Sequence, residues 1–231
     1  MKRIFVVLTC WRFILHWMYY KFSVNKSVIE DDLIRNIIQF LHKDKTSFLN
    51  FCELMTFYVM VRNIFYARVA YHHHFYAKFL SLLARPLPLL DISSTAEIGG
   101  GLIVQHGYAT IIAPRKIGKD CWINQGVTIG YTNDNDCPTL GDNVTVYAGA
   151  KILGNITIHD NVRIGAGSVV VEDVPEYSTV IGVPGRIVHQ KFRNSDGVLM
   201  HNRIPDPIKC EINRLKYEVQ ELKEKIDSEN N

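Results

Sequence analysis

The chain has 231 residues, enough for one large or two small domains, and its 47% hydrophobic content is ordinary for a protein with a packed core. A formal net charge of +3 gives no reason to expect a nucleic acid partner; a mild positive bias suits an anionic small ligand. Five cysteines, Cys10, Cys52, Cys121, Cys137 and Cys210, are scattered without a CxxC pair, which argues against a disulfide or zinc framework and reads as a reduced, cytoplasmic protein with no metal.

The N-terminal run MKRIFVVLTCWRFILHWMYYKF is basic and then apolar, like a signal peptide or anchor. Arg12 interrupts it before a membrane-spanning length accumulates, and no small-residue cleavage site follows. The expected structure is a helix that is buried or touches a membrane surface rather than crossing it. Ser27-Val-Ile-Glu30 has the form of a capping box, and Leu33, Ile34, Ile37, Ile38 and Leu41 follow it as one helical stripe. A second helical region runs from about residue 50 to 84 and ends at Pro86 and Pro88. Within it, His72, His73 and His74 are adjacent and point in three directions on a helix, so they cannot share one metal. Residues 1–90 are thus read as a helical N-terminal domain.

At Asp91 the texture changes. Aliphatic residues recur every six positions at Ile92, Ile98 and Val104, then at Ile111, Ile117, Ile123 and Ile129, and again from Leu140 through Val146, Ile152, Ile158 and Ile164 to Val170. The step is broken twice, by one extra residue between Val104 and Ile111 and by a longer insertion after Ile129. Neither helical nor strand periodicity gives a six-residue step; a hexapeptide solenoid does, with aliphatic residues stacked inside and Gly, Asn and Asp at the corners. The predicted architecture is α+β: a helical N-terminal region, a left-handed parallel β-helix over 91–188, and a C-terminal extension over 189–231. In that extension Ile208, Ile212, Leu215, Val219, Leu222 and Ile226 alternate steps of four and three, as in a coiled coil or an amphipathic helix.

With DISSTAEIGGGLIVQH following a helical half, and with VTIG, GAKILGNITI, IGAGSVVVEDVP and GVPGRIV downstream, the chain resembles the serine acetyltransferase family of hexapeptide acyltransferases, including relatives from polysaccharide gene clusters. The resemblance covers 91–188 and implies an acetyl-CoA-dependent O-acetyltransferase working as a homotrimer, with sites between subunits. A hydroxyl attacking a thioester needs a base with a near-neutral pKa, and imidazole suits that role. His106, beside the break in the repeat, matches the family's base, and Asp91 matches the Asp that orients it. For the cosubstrate, the resemblance points to Gly130, Tyr131, Ala148, Gly149, Ala166 and Arg186.

On the acceptor side the sequence departs from the family. Gln105 stands where serine acetyltransferases carry an Asp for the serine ammonium, and Asp136-Cys137 stands where they carry Arg-His. An unpaired charge is costly to desolvate, so the expected acceptor is a neutral sugar hydroxyl in surface polysaccharide synthesis, held by Gln105, Asp136, Cys137 and the polar loop Asn133-Asp134-Asn135. L-serine is the alternative acceptor. A non-catalytic scaffold and a zinc carbonic anhydrase are the alternatives of other kinds; the latter lacks its third histidine, because only His106 and His159 lie in the repeats before the final strand.

Overall fold

The computed structural model describes residues 2–133, 136–193 and 199–203, together with residues 212, 215–220 and 222–223 near the C-terminus. Helices come first: α1 (Lys2–Thr9), a 3-10 turn (Cys10–Phe13), α2 (Ile14–Phe22), α3 (Lys26–Leu41), α4 (Phe48–Phe57) and α5 (Val59–Leu83). Their core is aromatic, built on Phe13, Tyr20, Phe51 and Phe65. Among the described residues no helix is long and apolar enough to cross a membrane.

The expected capping box is not used. Helix α3 starts at Lys26 with Asn25 as its N-cap, and Ser27 lies inside the helix. The Asn25 amide instead donates to the Arg68 carbonyl, which ties the helix start to α5. Helix α5 ends where the prolines require, but it is kinked at His73, whose backbone leaves the helical region.

From Leu90 the chain winds into five coils. The first three run β1 (Leu90–Ile92), β2 (Glu97–Ile98), β3 (Ile103–Val104); β4 (Thr110–Ile112), β5 (Lys116–Ile117), β6 (Trp122–Ile123); and β7 (Thr128–Gly130), β8 (Thr139–Leu140), β9 (Thr145–Val146). The fourth is β10 (Lys151–Leu153), β11 (Thr157–Ile158), β12 (Arg163–Ile164), and the last carries β13 (Val169–Val170) and β14 (Ser178–Ile181). Strands one coil apart pair in parallel, giving three sheets: β1-β4-β7-β10-β13, β2-β5-β8-β11, and a third containing β3-β6-β9-β12-β14. This is the predicted parallel β-helix. Its interior is a column of aliphatic side chains from Val104 through Ile123, Ile129, Ile152 and Ile164 to Val180. The third sheet is extended by an antiparallel hairpin, β15 (Arg186–Arg193) and β16 (Leu199–Arg203), so regular structure runs across the boundary expected at residue 188.

Carboxylates and amides staple the corners from coil to coil. Asp142 Oδ1 accepts from the Lys119 amide and Asp160 Oδ1 from the Asp142 amide, while Asn143 Nδ2 donates to Asn161. At Gly118 and Gly141 a Cβ would collide with those same carboxylates, of Asp142 and Asp160, so glycine there is required by the close approach of neighbouring coils.

Candidate active site

Two sets of polar contacts fix the start of the solenoid. Asn63 on α5 donates to the carbonyls of Leu87 and Leu90 and accepts from the Leu87 amide, which sets the position of β1 and therefore of Asp91. On the next face, Arg68 of α5 donates to both Asp32 carboxylate oxygens, at 2.8 and 3.1 Å, and to the Gly99 carbonyl at 2.7 Å; Asp32 also accepts from the Leu102 amide. Burial pushes the Asp32 carboxyl up, and Arg68 with the backbone amides pulls it back. Together these contacts hold the helices against the first coil, where both expected catalytic residues lie.

The pairing register locates the irregularity in the repeat. Val104 pairs with Ile123, and Ile111 pairs with Thr128. The inward residue of β4 is therefore Ile112, which is fully buried, while Ile111 is 45% exposed. The expected inward Ile111 is corrected by one position: two adjacent isoleucines look alike to a six-residue count, but only one can face inward on a strand. The corner after β3 is consequently two residues longer than the corner after β6. The Gln105 amide bonds the Ile123 carbonyl, and the Gly126 amide bonds the Tyr108 carbonyl, so Gln105 aligns with Asn124 and Tyr108 with Gln125. The two residues left over are His106 and Gly107.

His106 sits at φ +64, in the left-handed region, at the centre of a turn closed by the Gly107 amide on the Gln105 carbonyl. Its side chain is exposed. Such a backbone is uncommon for residues other than glycine, and histidine is among those that tolerate it. Gly107 follows at φ +71, and a Cβ on it would meet Leu90 at 3.0 Å. Asp91, the residue after Leu90, is also exposed and pairs with Ile111. His106 and Asp91 thus flank one corner of the first coil, without a side-chain hydrogen bond between them within the chain.

Above His106 the same corner becomes small. Backbone bonds from coil to coil align Tyr108, Gln125, Ala148 and Ala166 in one column, with Gly126, Gly149 and Gly167 beside it. A Cβ on Gly167 would meet nothing within 4 Å. Ala148, Gly149 and Ala166 therefore share an edge with His106 and leave an open track along it, which fits a narrow flexible arm. Gly130 and Tyr131 lie at the end of β7, at a different corner; Tyr131 is exposed, and the space off Gly130 is empty. Arg186 opens β15 opposite Ile181, at the far end of the solenoid.

The acceptor-side residues divide. Gln105 is half-buried, and its Oε1 accepts from the Trp122 indole N–H at 3.2 Å. The Asp136 carboxylate is occupied inside its own loop, accepting from the Thr132 and Asn133 amides at 2.8 Å and from the Thr132 hydroxyl. These bonds, the Thr132 hydroxyl foremost, hold its carboxyl below the usual range. Cys137 is a half-buried free thiol and Asn133 is exposed, whereas Asp134 and Asn135 lie outside the described residues. Sequence reasoning missed Trp122, which fixes Gln105, and Gln125, whose buried Oε1 has no partner among the described residues. It also missed Lys151, whose ammonium donates to Gly126 and Thr128 and stiffens the same edge. None of the three carries a spacing signal, because each gains its meaning from the coil next to it.

Residues 137–171 match the bacterial transferase hexapeptide (six repeats) family. The chain is 38% identical over 182 residues, 74% of its own length and 83% of the relative's, to a serine acetyltransferase of Staphylococcus xylosus. The chain belongs to the serine acetyltransferase family. Its fold is similar to the soybean serine acetyltransferase complexed with serine, with a TM-score of 0.60, 28% identity and coverage of 74% of this chain and 72% of that one. It is similar to the Brucella abortus serine acetyltransferase in complex with coenzyme A as well, with a TM-score of 0.60, 26% identity and coverage of 75% and 71%. Like its family, the chain is an O-acetyltransferase that draws its acetyl group from acetyl-CoA.

Proposed function

We propose that this family member acetylates the hydroxyl of L-serine in the cytoplasm, with His106 as general base and Asp91 as the residue that orients it. The observation that carries the assignment of the base is the two-residue lengthening of one corner, which consists of His106 and Gly107. A solenoid has no structural need for it, and it turns an imidazole outward beside a track of small residues. His106 takes the proton of the acceptor hydroxyl as the oxygen attacks the thioester carbonyl; the C–S bond then breaks, and the sulfur leaves with a proton as free CoA thiol. Backbone amides near Gly130 are the proposed donors to the developing oxyanion. Ala148, Gly149 and Ala166 form the proposed bed of the pantetheine arm, with Tyr131 near the thioester and Arg186 placed for the nucleotide phosphates. The proposed working unit is a homotrimer, in which a neighbouring subunit closes the groove.

Sequence reasoning put a sugar hydroxyl ahead of L-serine. The relatives named for serine acetylation, at about two-fifths identity, support the opposite order. A second reading keeps the sugar because of one contact. Trp122 takes one of the two lone pairs of the Gln105 oxygen, and Gln105 carries no charge, so what it offers most freely is its N–H groups, which suit an acceptor oxygen better than an ammonium. Steady-state release of free CoA thiol decides between the two. For serine, a kcat/KM at or above about 10⁴ M⁻¹s⁻¹ is expected, the low end for a natural substrate. A value far below that, with a faster sugar acceptor, would establish the second reading in its place.

A further inference from the structure

We propose that residues 2–22 form a surface that lies on an anionic lipid bilayer and holds the enzyme there without crossing it. Across α1, the 3-10 turn and α2, Ile4, Leu8, Trp11, Leu15, Met18 and Phe22 follow one another at steps of four and three, so one stripe runs the length of the segment. All six are exposed, Trp11 at 64%, Leu8 at 68% and Phe22 at 84%. The opposite side of the same segment is already used: Val6, Phe13, His16 and Tyr20 are buried in the helical core. The stripe is therefore a second apolar face, well beyond the scattered apolar residues that any surface carries.

Charge chooses the occupant. Lys2, Arg3, Arg12, Lys21 and Lys26 are the only charged residues before Glu30. Four of them are exposed, whereas Arg12 is turned inward to donate to the Leu83 carbonyl. A second copy of the same segment would oppose cation to cation. An anionic headgroup layer would instead meet the cations while the stripe enters the acyl boundary, with Trp11 at the depth where indoles are favoured. Neither helix of the segment is long enough to span, and its inner face is occupied by protein, so it can lie on a bilayer but not cross one.

The test is co-sedimentation of the full chain with vesicles of phosphatidylcholine alone or with about 30 mol% phosphatidylglycerol, at about 0.15 M salt. Binding to the anionic vesicles is expected, falling about tenfold or more with neutral vesicles and in Leu8→Ser/Trp11→Ser, whose acetyl-transfer rate should stay at the wild-type level. Because that variant removes only exposed side chains, an unchanged melting curve is expected. Should it unfold, Lys2→Glu/Arg3→Glu/Lys21→Glu decides by the same loss of binding. Equal binding to both vesicle types, no binding to either, or charge reversal without effect overturns the proposal. So does a stripe variant whose only change is a smaller particle in light scattering, since the face would then belong to a second copy.

Discussion

His106 and Gly107 are the only residues of the corner after β3 that have no counterpart in the corner after β6, so the test of the base can be made without touching the solenoid's repeating contacts. His106→Ala is expected to lower turnover about 100- to 10,000-fold, the range for loss of a general base. Affinity for CoA, read by calorimetry, should stay near wild type; turnover within a few-fold of wild type would remove His106 from the mechanism. Asp91→Asn should cost less, and mainly in turnover, because the amide still holds position but no longer supports the imidazolium. Gln105 gives a sharper test. If the site is shaped for serine, Gln105→Asp combined with Cys137→His adds charged partners for the amino acid and should raise serine kcat/KM about ten- to a hundredfold, as expected for a charge-assisted contact. The break in the hexapeptide step made the location of His106 legible in the sequence. Its size was misread because Ile111 and Ile112 are equally aliphatic, and only pairing with Thr128 and Ile129 tells which faces inward. Trp122 and Gln125 were not legible, since their partners or neighbours sit one coil away, at separations set by loop lengths that the sequence does not announce.

At the scale of elements, the six-residue period made the solenoid readable because each strand repeats the same inward position, and errors do not accumulate from coil to coil. The helices offered less. The stripe expected on α3 runs through Ile38, which is exposed, while the buried face is Ile29, Asp32, Leu33, Asn36 and Ile37. Two polar residues belong to that face because their partners lie far along the chain: Asp32 meets Arg68 and the Leu102 amide, and Asn36 meets the Leu102 carbonyl. Helical periodicity scores such residues as solvent-facing. Arg68→Met tests their weight. It leaves the Asp32 carboxylate buried without its cation, which should cost about 3–5 kcal/mol in urea unfolding; a cost under about 1 kcal/mol, the value of a surface pair, would mean that the helices do not depend on this joint. His16 makes the helical core sensitive to acid. It is fully buried, its Nε2 lies 3.0 Å from the Tyr66 hydroxyl, and burial, aided by Arg62, lowers its pKa to about 4. Because the unfolded chain binds a proton near pH 6.5 and the folded chain does not until about pH 4, stability is complete above pH 6.5 and falls through that window. The loss between pH 7 and pH 5 is about 2 kcal/mol from this group alone. His16→Gln should flatten that part of the curve whatever it does to the value at pH 7, and an unchanged slope would assign the acid sensitivity elsewhere.

At the scale of the whole molecule, one chain leaves its site half-built. His106 and Asp91 are both exposed, the Gln125 oxygen is buried without a partner among the described residues, and the space off Gly167, on the edge of Ala148 and Ala166, is open. Flat solenoid faces make a groove only when two of them meet, so the proposed trimer would belong to the chemistry and not only to stability. The C-terminal segment bears on how the copies are held. Ile212, Leu215, Val219 and Leu222 are exposed within a single chain, while Ile208 and Ile226 of the same heptad pattern lie outside the described residues. Isoleucine and valine alternating with leucine favour a two-stranded coil, whereas the resemblance to the β-helix acyltransferases implies three subunits, and three heptads alone are marginal. The solenoid should therefore set the number and the helix should add to affinity. Deleting the chain from Pro207 onward is expected to leave a particle of three truncated chains at high concentration in light scattering, but one that dissociates on dilution at least about tenfold sooner than the full chain. Activity per chain should fall in step with dissociation, because the groove is lost when the copies part. If the truncated protein stays fully active as a monomer, the shared groove is wrong. If it keeps its subunit number and its dilution curve, the heptads pack on their own subunit, and the proposed trimer rests on the solenoid alone.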